Sequence, residues 1–351
     1  MSDEATVFSR LAISLGCPSG VGPEVSLLAA LRANQHAIRC ALIGDSGAVL
    51  RAATLHGVDP ERLAQVPEPS ACFQDPDRVS ILCPTQPLAA ESIAFGSPSR
   101  EGGRAQLEWI NFATQMTVSR QADAIVTGPV SKEAIARSGA PGAEAFAGHT
   151  EHIARLVGAP EPIMIFVTDA ISVALVTTHL PLAEVASAIT VQAVATATFR
   201  AAEIVYMLGK SPARVVVASL NPHAGEAGMF GNEERAVIAP GIAKANESIR
   251  QARVEAVVHG PIGAETAFRK AFDGHYDAVV AMYHDQGTIP MKVRCFGKAV
   301  NVTAGMPIIR TSVDHGTAYD IAGKGTAESQ SMYEAICLAD KLVAARRRMR
   351  G

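Results

Sequence analysis

Short β-branched runs alternate with longer amphipathic segments from one end of the chain to the other, and that alternation leaves few folds open. "RLAISLG", "AIRCALIG", "RVSILC" and "ADAIVTG" come first, and "PIMIFV", "ISVALVTT", "ARVVVAS", "VEAVV" and "YDAVVAMY" follow. Runs of this length, bounded by turn residues, predict buried strands. Between them, "GRAQLEWINFATQMTVSRQ" puts Leu107, Ile110, Met116 and Val118 on one helical face. "TVQAVATATFRAAEIVYML" predicts a second helix and "AESQSMYEAICLADKLVAARRRM" a closing one. The pattern is that of an α/β fold with a largely parallel sheet. A chain of 351 residues, 48% of them hydrophobic, is long enough for two domains with separate cores. The Gly/Ala/Pro-rich "SGAPGAEAFAG" is a candidate hinge.

Charge and cysteine usage remove several classes of function. The formal net charge is -3 and the only basic cluster is the terminal "RRRMR", so there is no electrostatic footprint for nucleic acid. Six cysteines are scattered without a C-x-x-C pair, which predicts reduced thiols and a cytoplasmic location. No charged leader precedes an apolar core, and no apolar run approaches about twenty residues. Neither secretion nor a membrane partner is expected.

Three of the predicted strands run into a histidine. "VALVTTHLPL" leads to His179, "ARVVVASLNPHAG" to His223 and "AMYHDQG" to His284. Ligands of open α/β sheets bind at the carboxyl ends of strands, so three such deliveries make a candidate metal site.

Other segments carry ligand-binding chemistry of a different kind. "GCPSGVGPEV" follows the first strand, yet it lacks the Gly-Lys-Ser/Thr of a P-loop, and Val25 stands where the dinucleotide pattern needs its third glycine. Pro23 and Glu24 nevertheless suit a helix start near a ligand. "TGPVSK" offers Thr127 and Lys132 close to a turn, and "AGHTEHIA" offers His149 and Thr150 where a helix begins, a setting suited to an anion. The densest stretch is "AVNVTAGMPIIRTSVDHGTAYDIAGKG", where four glycines are interleaved with Asn301, Arg310, Asp314, His315 and Asp320. Arg310 can hold a phosphate or carboxylate bidentately, and Lys292 can add a second charge.

Taken together, "THLPL", "LNPHAGEAGMFGNEE", "AMYHDQGTIPMK" and "VNVTAGMPIIRTSVDHGTA" resemble the 4-hydroxythreonine-4-phosphate dehydrogenase (PdxA) family of pyridoxal phosphate biosynthesis, from about Gly16 to the final helix. "DHGTAYDIAGKG" also resembles the adenosine-binding loop of isopropylmalate dehydrogenases. The resemblance implies a two-domain isocitrate/isopropylmalate dehydrogenase-like fold with an interdomain active-site cleft. It places 1–138 with 300–351 in a first domain holding the cofactor loop, and 139–299 in a second carrying metal ligands and dimer contacts. It implies a homodimer with shared active sites. His179, His223 and His284 match the ligands of one divalent metal ion (Zn, Mg or Co), the last coming from the neighbouring chain. His149, Thr150, Lys292, Asn301 and Arg310 match contacts to a phosphorylated small-molecule substrate. His315, Gly316, Thr317 and Asp320 fall in the loop for NAD or NADP, and Asp285 or Lys132 is the expected proton-transfer group. Cys17, Ser131 and Glu265 depart from the family's usual acidic residue, histidine and aspartate.

The implied reaction is oxidation of 4-phosphooxy-threonine with loss of carbon dioxide, giving 3-amino-2-oxopropyl phosphate. Threonate or erythronate 4-phosphate are alternative substrates; an aromatic cis-dihydrodiol dehydrogenase and a metallohydrolase are weaker alternatives. Three histidines would equally activate a water, but the dehydrogenase-type glycine loop speaks against hydrolysis.

Overall fold

The computed structural model describes residues 8–295 and 297–350. Its strands are, in chain order, β1 (Arg10–Ser14), β2 (Arg39–Ile43), β3 (Leu63–Gln65), β4 (Val79–Leu82), β5 (Ala124–Thr127), β6 (Ile163–Val167), β7 (Ser172–Leu175), β8 (Ala213–Ala218), β9 (Ala256–Ile262), β10 (Ala278–Ala281), β11 (Val300–Ala304) and β12 (Ile309–Ser312). The helices used below are α1 (Gly22–Asn34), α2 (Ser46–Leu55), α3 (Arg100–Val118), α4 (Lys132–Ala136), α5 (His149–Leu156), α6 (Leu182–Ala188), α7 (Val191–Met207), α8 (Ala239–Gln251), α9 (Ala264–Phe272), α10 (His284–Cys295) and α11 (Gln330–Arg350). The expected α/β class is observed. No single helix among the described residues is long and apolar enough to cross a membrane.

The chain divides into two compact units. The first takes the chain up to Pro160 together with Met306 onward, and the second is Glu161–Gly305. The sequence had suggested crossings near 138 and 300. Residues 139–160 stay with the first unit because α5 packs on α3, where His152 Nε2 and Asn111 Oδ1 are 2.6 Å apart. The expected hinge instead contains a short 3-10 turn over Ala143–Ala145.

In the first unit the strand order is β3-β4-β2-β1-β5-β12, every pair parallel. β4, β5 and β12 are buried along their whole length, as expected of parallel strands covered on both faces. Helix α3 starts at Ser99, whose Oγ accepts from Gly102 N at 2.9 Å, and buries Leu107, Ile110, Met116 and a fully enclosed Trp109. Val118, expected on that face, is 47% exposed because it ends the last turn.

In the second unit the order is β11-β6-β7-β10-β8-β9. Here β6 runs antiparallel to both β11 and β7, while β7, β10, β8 and β9 are parallel neighbours. Met164, Phe166, Val173, Leu175, Val216, Phe268 and Val279 form a buried core. Burial of each large apolar side chain contributes about 1.5–3 kcal/mol.

Candidate active site

Within the first unit, Arg310 is the centre of an anion-binding arrangement. It lies on β12 and is only 2% exposed. Parallel pairing with β5 sets Arg310 beside Ile125 and brings it within reach of Thr127, the last residue of β5. Nη2 donates to Thr127 Oγ1 at 2.9 Å and Nη1 donates to Thr150 Oγ1 at 3.2 Å. Burial pushes the guanidinium pKa down to about 10, against the raising effect of Glu151, so it stays charged at neutral pH.

His149 precedes Thr150 at the start of α5. Its Nε2 is buried and finds no hydrogen-bond partner among the described residues. Burial first, then the charges of Arg310, His152 and Lys132, holds the imidazole well below its ordinary pKa of 6.5. It is therefore neutral at physiological pH. One guanidinium, two hydroxyls and an orphaned imidazole nitrogen converge as an anion's contacts would, and the buried nitrogen calls for a partner that the described residues do not supply.

Lys132 is exposed at the first position of α4. Its turn is fixed from three sides. Ser131 Oγ accepts from Ala134 N at 3.1 Å, Ser131 N donates to Gln106 Oε1 at 2.9 Å, and Gly103 of α3 admits the Ala134 carbonyl to 2.0 Å from where a Cβ would stand. Ser131, where the family resemblance leads one to expect histidine, thus serves as the helix cap.

The loop holding His315, Gly316, Thr317 and Asp320 is seated on the first glycine loop. Val21 N donates to Thr317 O at 2.9 Å, and a Cβ on Gly20 would come within 2.6 Å of that same oxygen. Tyr319 OH lies 3.3 Å from Cys17 Sγ; burial raises both groups, Tyr319 to about 12. This resolves the failed phosphate patterns of "GCPSGVGPEV". Its glycines admit a second stretch of protein backbone. His315 and Asp320 are exposed, and a Cβ on Gly316 would meet nothing within 4 Å, so this loop offers open space lined by a donor ring and a carboxylate. Those features fit a nucleoside.

In the second unit, His179 follows β7 and His284 opens α10 after β10. These strands are adjacent and parallel, and Thr177 continues the registry past their ends, its N and Oγ1 both donating to Met282 O at 3.2 and 2.8 Å. The two imidazoles are consequently brought to 5.7 Å between centroids. Asp285 Oδ1 is 2.7 Å from His284 Nδ1, an arrangement that leaves Nε2 as the ligating atom. Gln286 ties this end to β8, accepting from Met282 N at 2.7 Å and donating to Ser219 O at 2.8 Å.

His223 is presented differently. Residues 223–227 all have positive φ, between 42° and 78°, a left-handed turn in which only Gly225 is at ease. Glu234, only 4% exposed, secures its approach, Oε1 accepting from Leu220 N at 2.9 Å and Asn221 N at 2.8 Å. A Cβ on Gly225 would lie 2.7 Å from Glu234 Oε2. Among the described residues no three His, Cys, Asp or Glu groups form a metal-binding set; the pair that one chain brings together is His179–His284, whereas the resemblance draws His284 from the neighbouring chain. Lys292 is exposed on α10, and Asn301 lies on β11 with its Oδ1 buried and without a hydrogen-bond partner among the described residues.

Sequence reading singled out Thr127 but not its bond to Arg310, and it missed Tyr319 and Glu234 altogether. The last two lay inside quoted motifs, where an aromatic hydroxyl in a glycine loop and a paired Glu-Glu were the available signals.

Residues 36–339 match the family model of the pyridoxal phosphate biosynthetic protein PdxA. The 4-hydroxythreonine-4-phosphate dehydrogenase of Trichlorobacter lovleyi is 42% identical over 344 residues, covering 96% of this chain and 98% of that one. The chain belongs to the PdxA family. Another similar protein is the D-threonate 4-phosphate dehydrogenase of Pectobacterium atrosepticum, 33% identical over 95% of this chain and 98% of its own. The crystal structure of 4-hydroxythreonine-4-phosphate dehydrogenase from Klebsiella pneumoniae superposes with a TM-score of 0.79 at 34% identity, covering 95% of this chain and 99% of that one. PdxA relatives are thus dehydrogenases of the same fold.

Proposed function

We propose that this PdxA-family chain oxidises 4-phosphooxy-threonine with NAD or NADP and releases carbon dioxide, forming 3-amino-2-oxopropyl phosphate. The observation that carries the reading is the buried Arg310 with Thr127, Thr150 and His149 around it. Such a seat suits a phosphate, and binding there orients the remote reacting carbon. Lys292 and Asn301 complete the substrate contacts. A bound nicotinamide would supply the hydride acceptor for the secondary alcohol carbon, and Asp285 or Lys132 takes the hydroxyl proton. The carboxylate of the resulting β-keto acid is then lost as carbon dioxide.

His179, His223 and His284 would hold one divalent ion, zinc, magnesium or cobalt, which lowers the alcohol's pKa and polarises the new carbonyl. The paired imidazoles of His179 and His284, the latter oriented by Asp285, support that role. The protein would act as a homodimer with shared active sites. His315, Gly316, Thr317 and Asp320 would hold the adenosine part of the cofactor. The enzyme works in the cytoplasm, on a small molecule rather than on nucleic acid or membrane.

A second reading, oxidation of D-threonate 4-phosphate, is favoured by the similar protein of that name. The purified protein, given NAD or NADP and each phosphorylated substrate in turn, decides between them by the rate of nicotinamide reduction. Activity on neither would contradict both.

A further inference from the structure

Glu24 has no part in the chemistry above, yet its carboxylate is completely enclosed in the first turn of α1. Its Oε1 accepts from Gly323 N at 2.8 Å, and its Oε2 is 2.9 Å from His56 Nε2, at the end of α2. Gly323 has φ +78° and closes the turn that begins at Ala318, whose carbonyl accepts from Ile321 N and Ala322 N at 3.2 Å. A second support lies against the same glycine. A Cβ there would come within 2.3 Å of Phe95 Cδ2. The Phe95 ring is in turn covered by Arg51, whose Cζ is 3.7 Å from its centroid. Arg51 Nη2 donates to Pro18 O at 2.9 Å and Nη1 to Ile93 O. The start of α1 therefore fastens the loop twice, through Val21 at Thr317 and through Glu24 at Gly323. His315–Asp320 lie at and beside the first of these fastenings.

We propose that Glu24 is a positioning residue for the dinucleotide: it holds the 317–323 turn in its binding shape before the cofactor arrives. This rests on the assignment of that loop to NAD or NADP. A carboxylate buried this completely is costly unless it is paired, so the group persists only where backbone N–H and imidazole satisfy it. A loop ordered in advance leaves less entropy to be lost on binding.

Two conservative substitutions separate reach from charge. Glu24→Gln keeps the length and an acceptor for Gly323 N, whereas Glu24→Asp keeps the charge but is one methylene too short to serve Gly323 and His56 together. Amide hydrogen exchange on the cofactor-free full chain should quicken about ten-fold or more over 317–325 in Glu24→Asp, and the NADH dissociation constant, read by its fluorescence, should rise about ten-fold. Glu24→Gln should stay within about three-fold on both. Equal behaviour of the two variants, or exchange that quickens equally in β1 and β5, would overturn the proposal. If the wild type binds neither NADH nor NADPH, the cofactor assignment fails and the proposal with it; unchanged NADH affinity in Glu24→Asp sinks the proposal alone.

Discussion

Arg310 donates to Thr127 Oγ1 at 2.9 Å across the β5–β12 pair, so a single strand register places a buried cation where β5 ends. No flexible loop is needed to aim it. Two hydroxyls, Thr127 Oγ1 and Thr150 Oγ1, accept from the guanidinium.

Replacing Thr127 by valine keeps the shape of the strand end and removes one acceptor from the guanidinium. A hydrogen bond to a charged group contributes about 1.5–3 kcal/mol. The variant should therefore lose roughly ten-fold or more in kcat/KM on the phosphorylated substrate, with unchanged secondary structure by circular dichroism. Wild-type kinetics would show that Thr127 does not steer Arg310.

The neutral state of His149 makes stability depend on pH. Its imidazole titrates well below 6.5 in the folded chain, while the unfolded chain takes up the proton near 6.5. Stability is full above that value and falls as pH drops below it, by up to about 1.4 kcal/mol per pH unit. His152, lowered by burial and Arg155, acts in the same direction. Urea midpoints compared at about pH 7.5 and about pH 5.5 should show a smaller drop for His149→Gln than for the wild type. An equal drop would show that His149 is not held neutral.

Much of this arrangement was readable from residue order, and the reasons for the remainder are physical. β-Branched runs announced nine of the twelve strands among the described residues; β3 has only three residues and gives no periodicity to detect, and β11 and β12 lay in a stretch read for its glycines and charges. The three histidines were visible past strand ends. That His179 meets His284 depends on which strands become neighbours, and a sequence does not carry strand order. The left-handed turn at 223–227 was invisible because His, Ala and Glu rarely adopt positive φ, and only Gly225 hinted at it. The failed phosphate pattern was a correct observation with a different cause, since Gly20 makes room for the Thr317 carbonyl of another loop and Gly22 for the Leu15 carbonyl just past the end of β1.

Glu234 should prove a stability residue out of proportion to its distance from the chemistry. Glu234→Ala leaves the half-buried Leu220 N and Asn221 N without their acceptor beside a strained turn, at about 1 kcal/mol for each. Denaturant titration should show a loss of at least about 2 kcal/mol, with Glu234→Gln losing less. A neutral alanine variant would mean that the turn needs no such support.

Metal content tests the histidines separately from catalysis. His179→Ala and His284→Ala should each lower the divalent metal retained after dialysis and lower activity in parallel, while a chelator should abolish activity in the wild type and added zinc, magnesium or cobalt restore it. Unchanged metal stoichiometry in either variant would remove that histidine from the ligand set.

The most direct measurement is the comparison of Arg310→Ala and Arg310→Lys with the wild type, on the phosphorylated substrate and on its dephosphorylated analogue. Truncating one partner of a buried charge pair costs about 2–5 kcal/mol, so Arg310→Ala should lose roughly 30-fold or more in kcat/KM on the phosphorylated substrate. Lysine should recover only part of it, because a point charge cannot reproduce the planar fork. On the dephosphorylated analogue the three proteins should differ little, and bound metal should be unchanged. An equal loss on both substrates would contradict the account, since Arg310 would then not be reading the phosphate.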